Sequence, residues 1–499
     1  MHLPEGVEMA LEVFQQYING AFEDASETFE SLDPATGIAW AQMPMANGAD
    51  VDRAVTAAHV AFTTGVWPTL TASARGKLLY KLADLMAADA DVLAELETKD
   101  TGKIRRETSA VIMYISEYYR YFAGLADKLQ GAHFDVDKPN MEAYTRREPI
   151  GVVAAIVPWN SQMFLSAVKL APALAAGCTV VLKASEDGPA PLLHFAKLID
   201  HAGFPPGVVN IITGMGESCG KALTSHPLVS RIAFTGGPNT AKQIVANSAN
   251  NLAVVSLELG GKSPVIVFGD ADLESAANAI VSGIFAATGQ SCVAGSRLLV
   301  QENVHAKLME ILVAKAKQIK IGDPQDLETQ MGPLATNRQL QHVQDVVDRS
   351  VAQGAKLITG GKSPAGFESG FYYEPTILDC DEPIVACVQE EIFGPVLSVL
   401  KFRDDAQALA MANDSEYALA SGVFTKDIGR AHRFVRSIRA GIVWVNTYRM
   451  ISPMVPFGGY GQSGTGREAG AESILDYTRT KSVWINTSED PISDPFIMR

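Results

Sequence analysis

The sequence predicts an α/β protein with two doubly wound parallel-sheet domains and a small protruding sheet. The chain has 499 residues, which is too long for one ordinary hydrophobic core. Residues 151–260 alternate short apolar runs with helical segments, and a second succession of the same kind follows residue 261. Continuous apolar strands that alternate with helices are typical of a parallel sheet covered by helices on both faces.

The elements of the first predicted sheet can be read in chain order. Helical patterns fill residues 50–130, as in "ARGKLLYKLADLMAADADVLAEL". The predicted strands that follow are "GVVAAIV", "CTVVLK", "GVVNIIT", "SRIAFTG" and "LAVVSLEL". The longer helices between them are "MFLSAVKLAPALAAG", "APLLHFAKLIDHAG" and "NTAKQIVANSA". Because Lys169 and Pro172 interrupt the most apolar long window, that window predicts an amphipathic helix and then a strand, not a membrane span.

The second succession predicts a second domain. Its clearest stretches are "ENVHAKLMEILVAKAKQI", "EEIFGPVLSVLKF" and "AHRFVRSIRAGIVWVN". The Gly260-Gly261 pair before it marks the expected boundary. The predicted division is a dinucleotide-binding domain of residues 1–128 and 150–260, a catalytic domain of residues 261–463, and oligomerisation strands with a C-terminal tail at 129–149 and 464–499.

Two further segments alternate polar and apolar residues like exposed strands. They are "MEAYTRREP" at 141–149 and "KSVWINTS" near the end of the chain. Since neither belongs to a doubly wound unit, we expect them to form the protruding sheet and to pair between subunits. The expected assembly is a homotetramer or, failing that, a dimer.

Composition excludes several classes of function. The hydrophobic fraction of 47% and the charged fraction of 19% are those of a soluble globular protein. The net charge of −15 argues against nucleic acid or an anionic membrane as a partner. The first twenty residues carry acidic side chains where a secretory signal would need a basic start, so a cytoplasmic location is expected.

Cysteine and histidine usage predicts no metal site. The five cysteines are odd in number and form no CxxC or Cys/His metal spacing, and the nine histidines are scattered. Free thiols in a reducing compartment are therefore the simplest interpretation.

Glycine-rich turns raise the question of a nucleotide site. The literal GxGxxG at 459–464, "GYGQSG", does not follow a strand and is interpreted as a loop. The stretch "AFTGGPNTA" fits better, because a strand runs into Gly236-Gly237 and then a helix, where backbone amides can face a pyrophosphate. An ordinary strand-to-helix turn remains the alternative.

Three polar groups at predicted strand ends or in loops could form an active site. Cys292 lies in "ATGQSCVAGS", Asn160 in "VPWNSQ" and Glu258 in "LELGGKSP". A thiol nucleophile needs an oxyanion donor, and hydrolysis of an acyl-enzyme needs a base for water. Taken singly, the three residues are as compatible with a buried structural thiol, a helix cap and a surface carboxylate.

Eight motifs in order resemble the aldehyde dehydrogenase superfamily. The resemblance runs from "YINGAF" near residue 17 to "DYTRTKSVWIN" near residue 486, almost the whole chain. The motifs are "VPWN", "KLAPALAAGCTVVLKASE", "GFPPGVVNIITG", "FTGG", "LELGGKSP", "GQSC", "EEIFGPV" and "PFGGYGQSGTGRE". The implied fold is aldehyde dehydrogenase-like, and the implied activity is oxidation of an aldehyde to its carboxylic acid with NAD, or less preferably NADP.

The resemblance also implies roles for individual residues. Cys292 would be the nucleophile, Glu258 the base and Asn160 the oxyanion donor, with Lys169 behind that asparagine. The implied cofactor contacts are Trp159, Lys183, Glu186, Phe234, Gly236, Gly237, Glu391 and Phe393, of which Lys183 and Glu186 would contact the adenosine ribose. The sequence departs from the family where Gly236-Gly237 replaces a glycine-serine pair and Ala241 replaces the closing glycine.

The substrate side departs further from members that oxidise simple aliphatic aldehydes. Ser161 and Val168 stand where those members carry large aromatic side chains, while Phe164 and Phe457 remain as apolar walls. Arg449 either binds a carboxylate or another acceptor at the far end of the substrate, or is a solvated loop charge, or pairs with a neighbouring subunit. The expected substrate is a semialdehyde or another polar aldehyde. Two alternatives stay open, a coenzyme A-acylating enzyme and a catalytically silent protein with the same fold.

Overall fold

Two large, mainly parallel β-sheets organise the chain, which the computed structural model describes over residues 11–492 and 494–497. The acidic residues used to argue against a secretory signal lie partly in 1–10, outside the described residues. The predicted α/β class is confirmed, because parallel pairs join the central strands of both sheets.

The strands are short and distributed along the whole described chain. They are β1 Glu12–Val13, β2 Gln16–Ile18, β3 Ala21–Glu23, β4 Thr28–Asp33, β5 Ile38–Pro44, β6 His133–Phe134, β7 Met141–Pro149, β8 Val152–Ile156, β9 Thr179–Ala184, β10 Val209–Thr213, β11 Val229–Gly236, β12 Val254–Leu259, β13 Pro264–Val267, β14 Arg297–Gln301, β15 Lys356–Thr359, β16 Thr376–Asp379, β17 Val396–Phe402, β18 Tyr417–Ala418, β19 Ala420–Phe424, β20 Ile442–Val445, β21 Tyr460–Gly461, β22 Gly464–Thr465 and β23 Thr478–Asn486.

The helices cover both faces of the sheets. They are α1 Gly48–Thr63, α2 Ala72–Ala88, α3 Ala90–Thr101, α4 Arg105–Leu125, α5 Gln162–Ala176, α6 Ala190–Ala202, α7 Lys221–Ser225, α8 Pro238–Asn247, α9 Leu273–Phe285, α10 His305–Gln318, α11 Asn337–Ala352, α12 Ala386–Gln389, α13 Asp405–Asn413 and α14 Ile428–Ser437. None of the helices in the described ranges is both long enough and apolar enough to cross a membrane.

The first large sheet has the order β22-β12-β11-β8-β9-β10-β2-β3. Its five central strands are the five that the apolar runs predict, and they pair in parallel. Strands β8, β9 and β10 are buried along their whole length, which explains why their sequences are continuously apolar instead of alternating. The edge strands β2, β3 and β22 are antiparallel additions that the sequence patterns do not predict.

Helix α5 connects the first two predicted strands of this sheet. It is buried over most of its length and ends at Gly177, whose φ of 99° is the left-handed conformation that glycine adopts readily. The predicted helix and strand in this apolar window are therefore both present. Its N-terminus follows Asn160 directly, and that position matters for the site.

The second large sheet has the order β15-β16-β17-β14-β13-β19-β20. All its neighbours are parallel except the edge pair of β15 and β16. The stretches predicted in this part of the chain become α10, β17, α14 and β20.

A small antiparallel sheet of order β23-β7-β6 lies outside both large sheets. Strand β7 covers the predicted segment 141–149, and it pairs with β23 from Pro149↔Thr478 to Met141↔Asn486. On β23, Trp484 and Ile485 are exposed. Residues 464 and 465 belong to the first large sheet instead of to this small one. The division into domains remains a prediction.

Candidate active site

A cavity of about 580 Å³ lies at the carboxyl ends of β8, β11 and β12, facing the loop before β14. Ligands of doubly wound sheets bind at this edge. Most of the sequence-predicted site residues line it: Trp159, Asn160, Ser161, Phe164, Val168, Gly236, Gly237, Glu258, Cys292, Glu391, Phe393, Arg449 and Phe457. The remaining predicted residues, Lys169, Lys183, Glu186 and Phe234, lie elsewhere.

The loop that carries Cys292 has a strained backbone, and hydrogen bonds with residues outside the loop stabilise it. Ala287 and Thr288 have φ of 51° and 54°, and this left-handed conformation is costly for residues with a side chain. Both oxygens of the Glu107 carboxylate accept a hydrogen bond from Ala287 N at 3.1 Å. The Thr288 hydroxyl donates to Gly332 O at 3.0 Å. These contacts hold the loop in a conformation that an isolated segment would avoid.

Asn160 is tied to the same loop. Its Nδ2 donates to the carbonyl of Gln290 at 3.0 Å, two residues before Cys292. Ser161 begins α5 without a side-chain cap, so Asn160 is not acting as a helix cap. A side-chain amide has two N–H donors, and the second one is available to an oxyanion beside the thiol.

Glu258 ends β12 as a buried carboxylate, not a surface one. It is 4% exposed, and neither of its oxygens accepts a hydrogen bond from the described residues. A Cβ on Gly458 would lie 2.6 Å from Glu258 Oε1, so the absence of a side chain there leaves room for the carboxylate. Burial first, and then the charge of Glu468, raise the pKa of Glu258 well above its usual range.

Lys169 lies behind these groups and pairs with Glu468, a partner that the sequence analysis did not predict. Its ammonium is fully buried and donates to Thr235 Oγ1 at 2.6 Å and to the Glu468 carboxylate. Glu468 lines the cavity and, together with Lys169, affects the pKa of Glu258. The signal was present, because Glu468 closes the quoted motif "PFGGYGQSGTGRE".

The Cys292 thiol lies among groups that disfavour its ionised form. Burial, followed by the charges of Glu391 and Glu258, raises its pKa to about 12. The charge of Arg449 acts in the opposite direction. The other four cysteines within the described ranges are buried free thiols, so Cys292 is the one that reaches the cavity.

Gly236 and Gly237 form an open turn at the start of α8. A Cβ on Gly237 would meet no atom within 4 Å, and Gly237 is the N-cap residue of the helix. Free N–H groups of a first helical turn beside open space fit the pyrophosphate of a dinucleotide. Phe234 lies outside the cavity lining, because its ring packs in the core where a Cβ on Gly236 would lie 2.4 Å away. Its ring supports the turn from the core side, and its contact with the cofactor stays a prediction.

Glu391 and Phe393 approach from the second sheet. Glu391 Oε1 accepts a hydrogen bond from Gly261 N at 2.9 Å, and burial raises the pKa of this carboxyl to about 7. The Phe393 ring meets the Trp159 indole edge to face, with centroids 5.4 Å apart. Acidic and aromatic groups therefore border the cavity on the side away from Ser161.

Lys183 and Glu186 lie at the carboxyl end of β9, outside the cavity lining. Lys183 Nζ is 3.3 Å from Glu186 Oε2, and the Glu186 side chain is 32% exposed. They lie on the same sheet edge as the Gly236-Gly237 turn, since β9 and β11 flank β8. This position suits the far end of an extended dinucleotide.

The substrate side of the cavity combines apolar walls with a polar pair. Phe164 packs edge-on against Tyr118 at 5.2 Å, and Val168 is almost completely buried. Ser161 accepts a hydrogen bond from the ammonium of Lys103, a cavity-lining residue that sequence reasoning missed. Tyr114, also missed, borders the same side.

Arg449 lines the cavity from the opposite loop. Its backbone is left-handed, with φ of 60°, and its Nη1 donates to Ser282 O at 3.0 Å. No carboxylate of the described residues lies within ion-pair distance of it. Likewise, no cluster of three or more histidine, cysteine or acidic side chains in the described part of the chain could hold a metal ion.

Comparison with known proteins gives consistent matches over nearly the whole chain. The model of the aldehyde dehydrogenase family matches residues 22–483. A (Z)-2-((N-methylformamido)methylene)-5-hydroxybutyrolactone dehydrogenase from Acinetobacter baylyi is 61% identical over 490 residues, which is 98% of this chain and 100% of that protein.

Solved structures agree with the sequence matches. The crystal structure of a putative aldehyde dehydrogenase from Burkholderia cenocepacia superposes with a TM-score of 0.95 at 44% identity, covering 97% of this chain and 99% of that one. A betaine aldehyde dehydrogenase from Staphylococcus aureus in complex with NAD+ gives 0.95 at 38% identity, covering 97% and 96%.

The raised pKa of Cys292 predicts an unusual alkylation profile. Iodoacetamide reacts with the thiolate, so its rate at Cys292 should increase about tenfold per pH unit from pH 7 to 9.5 without a plateau. An ordinary thiol, with a pKa near 8.5, would level off in this range. Peptide mass spectrometry of the cofactor-free protein measures the rate at this one site. A plateau at or below pH 8.5 would contradict the description of the thiol.

Proposed function

The chain belongs to the aldehyde dehydrogenase family, whose general reaction is the NAD-dependent oxidation of aldehydes, and we propose that this member prefers NAD and acts on an aldehyde that carries a carboxylate. The chain is thus an oxidoreductase acting on aldehydes. The observation that carries the proposal is the meeting of Cys292, Asn160, Glu258 and the cation Arg449 in one cavity.

The proposed chemistry has two halves. The Cys292 thiol loses its proton to solvent and adds as the thiolate to the aldehyde carbon, and the free N–H of Asn160 and the backbone N–H of Cys292 stabilise the oxyanion. Bound NAD supplies the hydride acceptor. Glu258 then takes a proton from water, and the resulting hydroxide attacks the thioester and releases the acid. The raised pKa of Glu258 favours this role, because a carboxylate that is only weakly acidic is a better base near neutral pH.

The preference for NAD rests on Glu186. Its carboxylate, paired to Lys183, can accept hydrogen bonds from free ribose hydroxyls, whereas it would repel a 2′-phosphate. Repulsion between partly solvated like charges costs on the order of 1–2 kcal/mol, which is about tenfold or more in specificity. NADP would remain the weaker cofactor.

The substrate class rests on Arg449 and on the relative's substrate. A 5-hydroxybutyrolactone is the ring-closed form of a 4-oxobutanoate, so opening its ring yields an aldehyde and a carboxylate in one molecule. The Arg449 guanidinium has five N–H donors, and the described residues fill one of them with Ser282 O. The others can bind a carboxylate at the end of the substrate.

The proposed assembly is a homotetramer or a dimer in the cytoplasm. The exposed strands β7 and β23, with the apolar Trp484 and Ile485 on the surface, support an interface, since sheet edges and exposed apolar residues favour pairing with another copy. Light scattering at micromolar concentration checks it, and a monomer would contradict it.

A panel of aldehydes tests the function as a whole. NADH or NADPH formation should be seen with NAD at least tenfold above NADP in kcat/KM, and coenzyme A should not accelerate it, because Glu258 supplies water as the acceptor. Dependence on coenzyme A would instead favour the acylating alternative. Absence of turnover with every aldehyde would favour the silent one.

Glu258→Gln should separate the two halves of the reaction. The glutamine keeps the shape of the side chain but cannot take a proton from water, so deacylation should slow more than hydride transfer. Stopped-flow absorbance should therefore show a burst of NADH followed by a slow steady state. Loss of the burst together with turnover would place Glu258 earlier in the reaction, in activation of the thiol.

Arg449→Ala should raise KM for 4-oxobutanoate about tenfold or more, because a hydrogen bond to a charged group contributes ~1.5–3 kcal/mol. The methyl ester of the same acid provides the comparison, since it keeps the aldehyde and the carbon chain between the two ends but lacks the charge. An equal rise in KM for acid and ester would mean that Arg449 shapes the cavity and does not recognise a carboxylate.

A further inference from the structure

Lys103 is a buried cation on the substrate side of the cavity. It follows α3 and precedes α4, and it is only 8% exposed, with that surface bordering the cavity. Its ammonium donates to the hydroxyl of Ser161, the residue directly after Asn160. A lysine is almost never so buried unless it is paired or binds a ligand.

The hydrogen bonds of Lys103 are incomplete. A lysine ammonium has three N–H donors, and the bond to Ser161 is the one that its described neighbours provide. The nearest carboxylate, Glu97, has its Oε1 at 3.7 Å, which is beyond hydrogen-bond distance. Besides the bond to Ser161 and the long ion pair with Glu97, the ammonium has donor capacity left, and buried donors without acceptors are unfavourable.

Glu97 neutralises Lys103 poorly. It has no exposed surface, and neither of its oxygens accepts a hydrogen bond within the described ranges. Burial raises the pKa of this carboxyl, against the lowering effect of Lys103. The separation of 3.7 Å between Lys103 Nζ and Glu97 Oε1 is long for a charge-assisted hydrogen bond, so the ammonium can gain from a closer acceptor in the cavity that it lines.

We propose that Lys103, oriented by Ser161, binds the distal carboxylate of the substrate while the aldehyde carbon faces Cys292. The proposal rests on the proposed function and makes it specific, because it assigns a second cation to the substrate acid besides Arg449. The small side chain of Ser161 is what leaves the ammonium accessible, since a large side chain there would stand between Lys103 and the cavity.

The other charged groups on this side are consistent with that role. Arg449, on the opposite loop, is a second positive group on the cavity wall. Glu107, the nearby negative group that lines the cavity, has both oxygens on the N–H of Ala287. Its charge is therefore partly satisfied by the loop of Cys292.

The test measures selectivity between 4-oxobutanoate and its methyl ester by NADH formation. In Lys103→Met the ratio of kcat/KM for acid to that for ester should fall tenfold or more, mainly through KM for the acid, which is the size of effect expected when one charge-assisted hydrogen bond is lost. Lys103→Arg keeps the charge and should recover part of the ratio. Lys77→Met, the same substitution at an exposed position on α2, is the matched control.

If Lys103→Met does not fold, a second variant provides the same test. Glu97→Gln/Lys103→Met removes both charges together, so that no buried carboxylate is left without a cation, and it should show the same loss of ratio. An unchanged ratio in either folded variant overturns the proposal and leaves Lys103 as a structural partner of α3.

The acid-to-ester ratio of the wild-type protein shows whether only the role of Lys103 fails or the proposed function fails as well. Preference of the wild type for the ester would overturn both the substrate class and the role of Lys103. The alternative result is that the wild type prefers the acid, with this preference weakened in Arg449→Ala and unchanged in the Lys103 variants. That result would overturn the role of Lys103 alone.

Discussion

The cavity depends on a close approach of three backbone segments that only glycine permits. A Cβ on Gly260 would overlap the Glu391 carboxylate, and a Cβ on Gly261 would lie 2.6 Å from Cys292 O. A Cβ on Gly289 would overlap the carbonyl of Gly394, next to Phe393. Because these positions lack side chains, the end of β12, the cysteine loop and the segment after α12 meet at one point. Any larger residue would push the thiol away from its neighbours.

The close approach of these segments also places several ionisable side chains near one another. Glu258 and Glu391 both act on Cys292, and Glu468 acts on Glu258. Lys169, a fully buried cation, faces this group of carboxylates through its pair with Glu468, and the buried Lys262 acts on Glu391. Burial is the first cause of the raised pKa values of the Cys292 thiol and of the Glu258 and Glu391 carboxyls. Neighbouring carboxylates add to this effect at Cys292 and Glu258, so both groups ionise less readily than they would in water.

Sequence patterns predicted the sheets better than the contacts of the site. The five central strands of the first sheet were predictable because continuous apolar runs survive in any parallel sheet covered on both faces. Asn160 and Glu258 were predictable as neighbours because parallel strands end at one edge. Lys103 and Glu468 were not, since one comes from before the sheet and the other from near its last strand. The contact of Phe234 with the cofactor stays a prediction, because side chains alternate across a strand and the Phe234 ring lies on the core side.

The distribution of charge within the cavity favours one orientation of a bound substrate. The chain as a whole has a net charge of −15, and Glu258 and Glu391 lie close enough to the thiol to raise its pKa. A substrate carboxylate placed beside Cys292 would face both of them. Lys103 and Arg449 are the cations on the cavity wall, so a molecule with an aldehyde at one end and a carboxylate at the other has a preferred orientation. An aldehyde without that charge would gain nothing from either cation and could bind in more than one way.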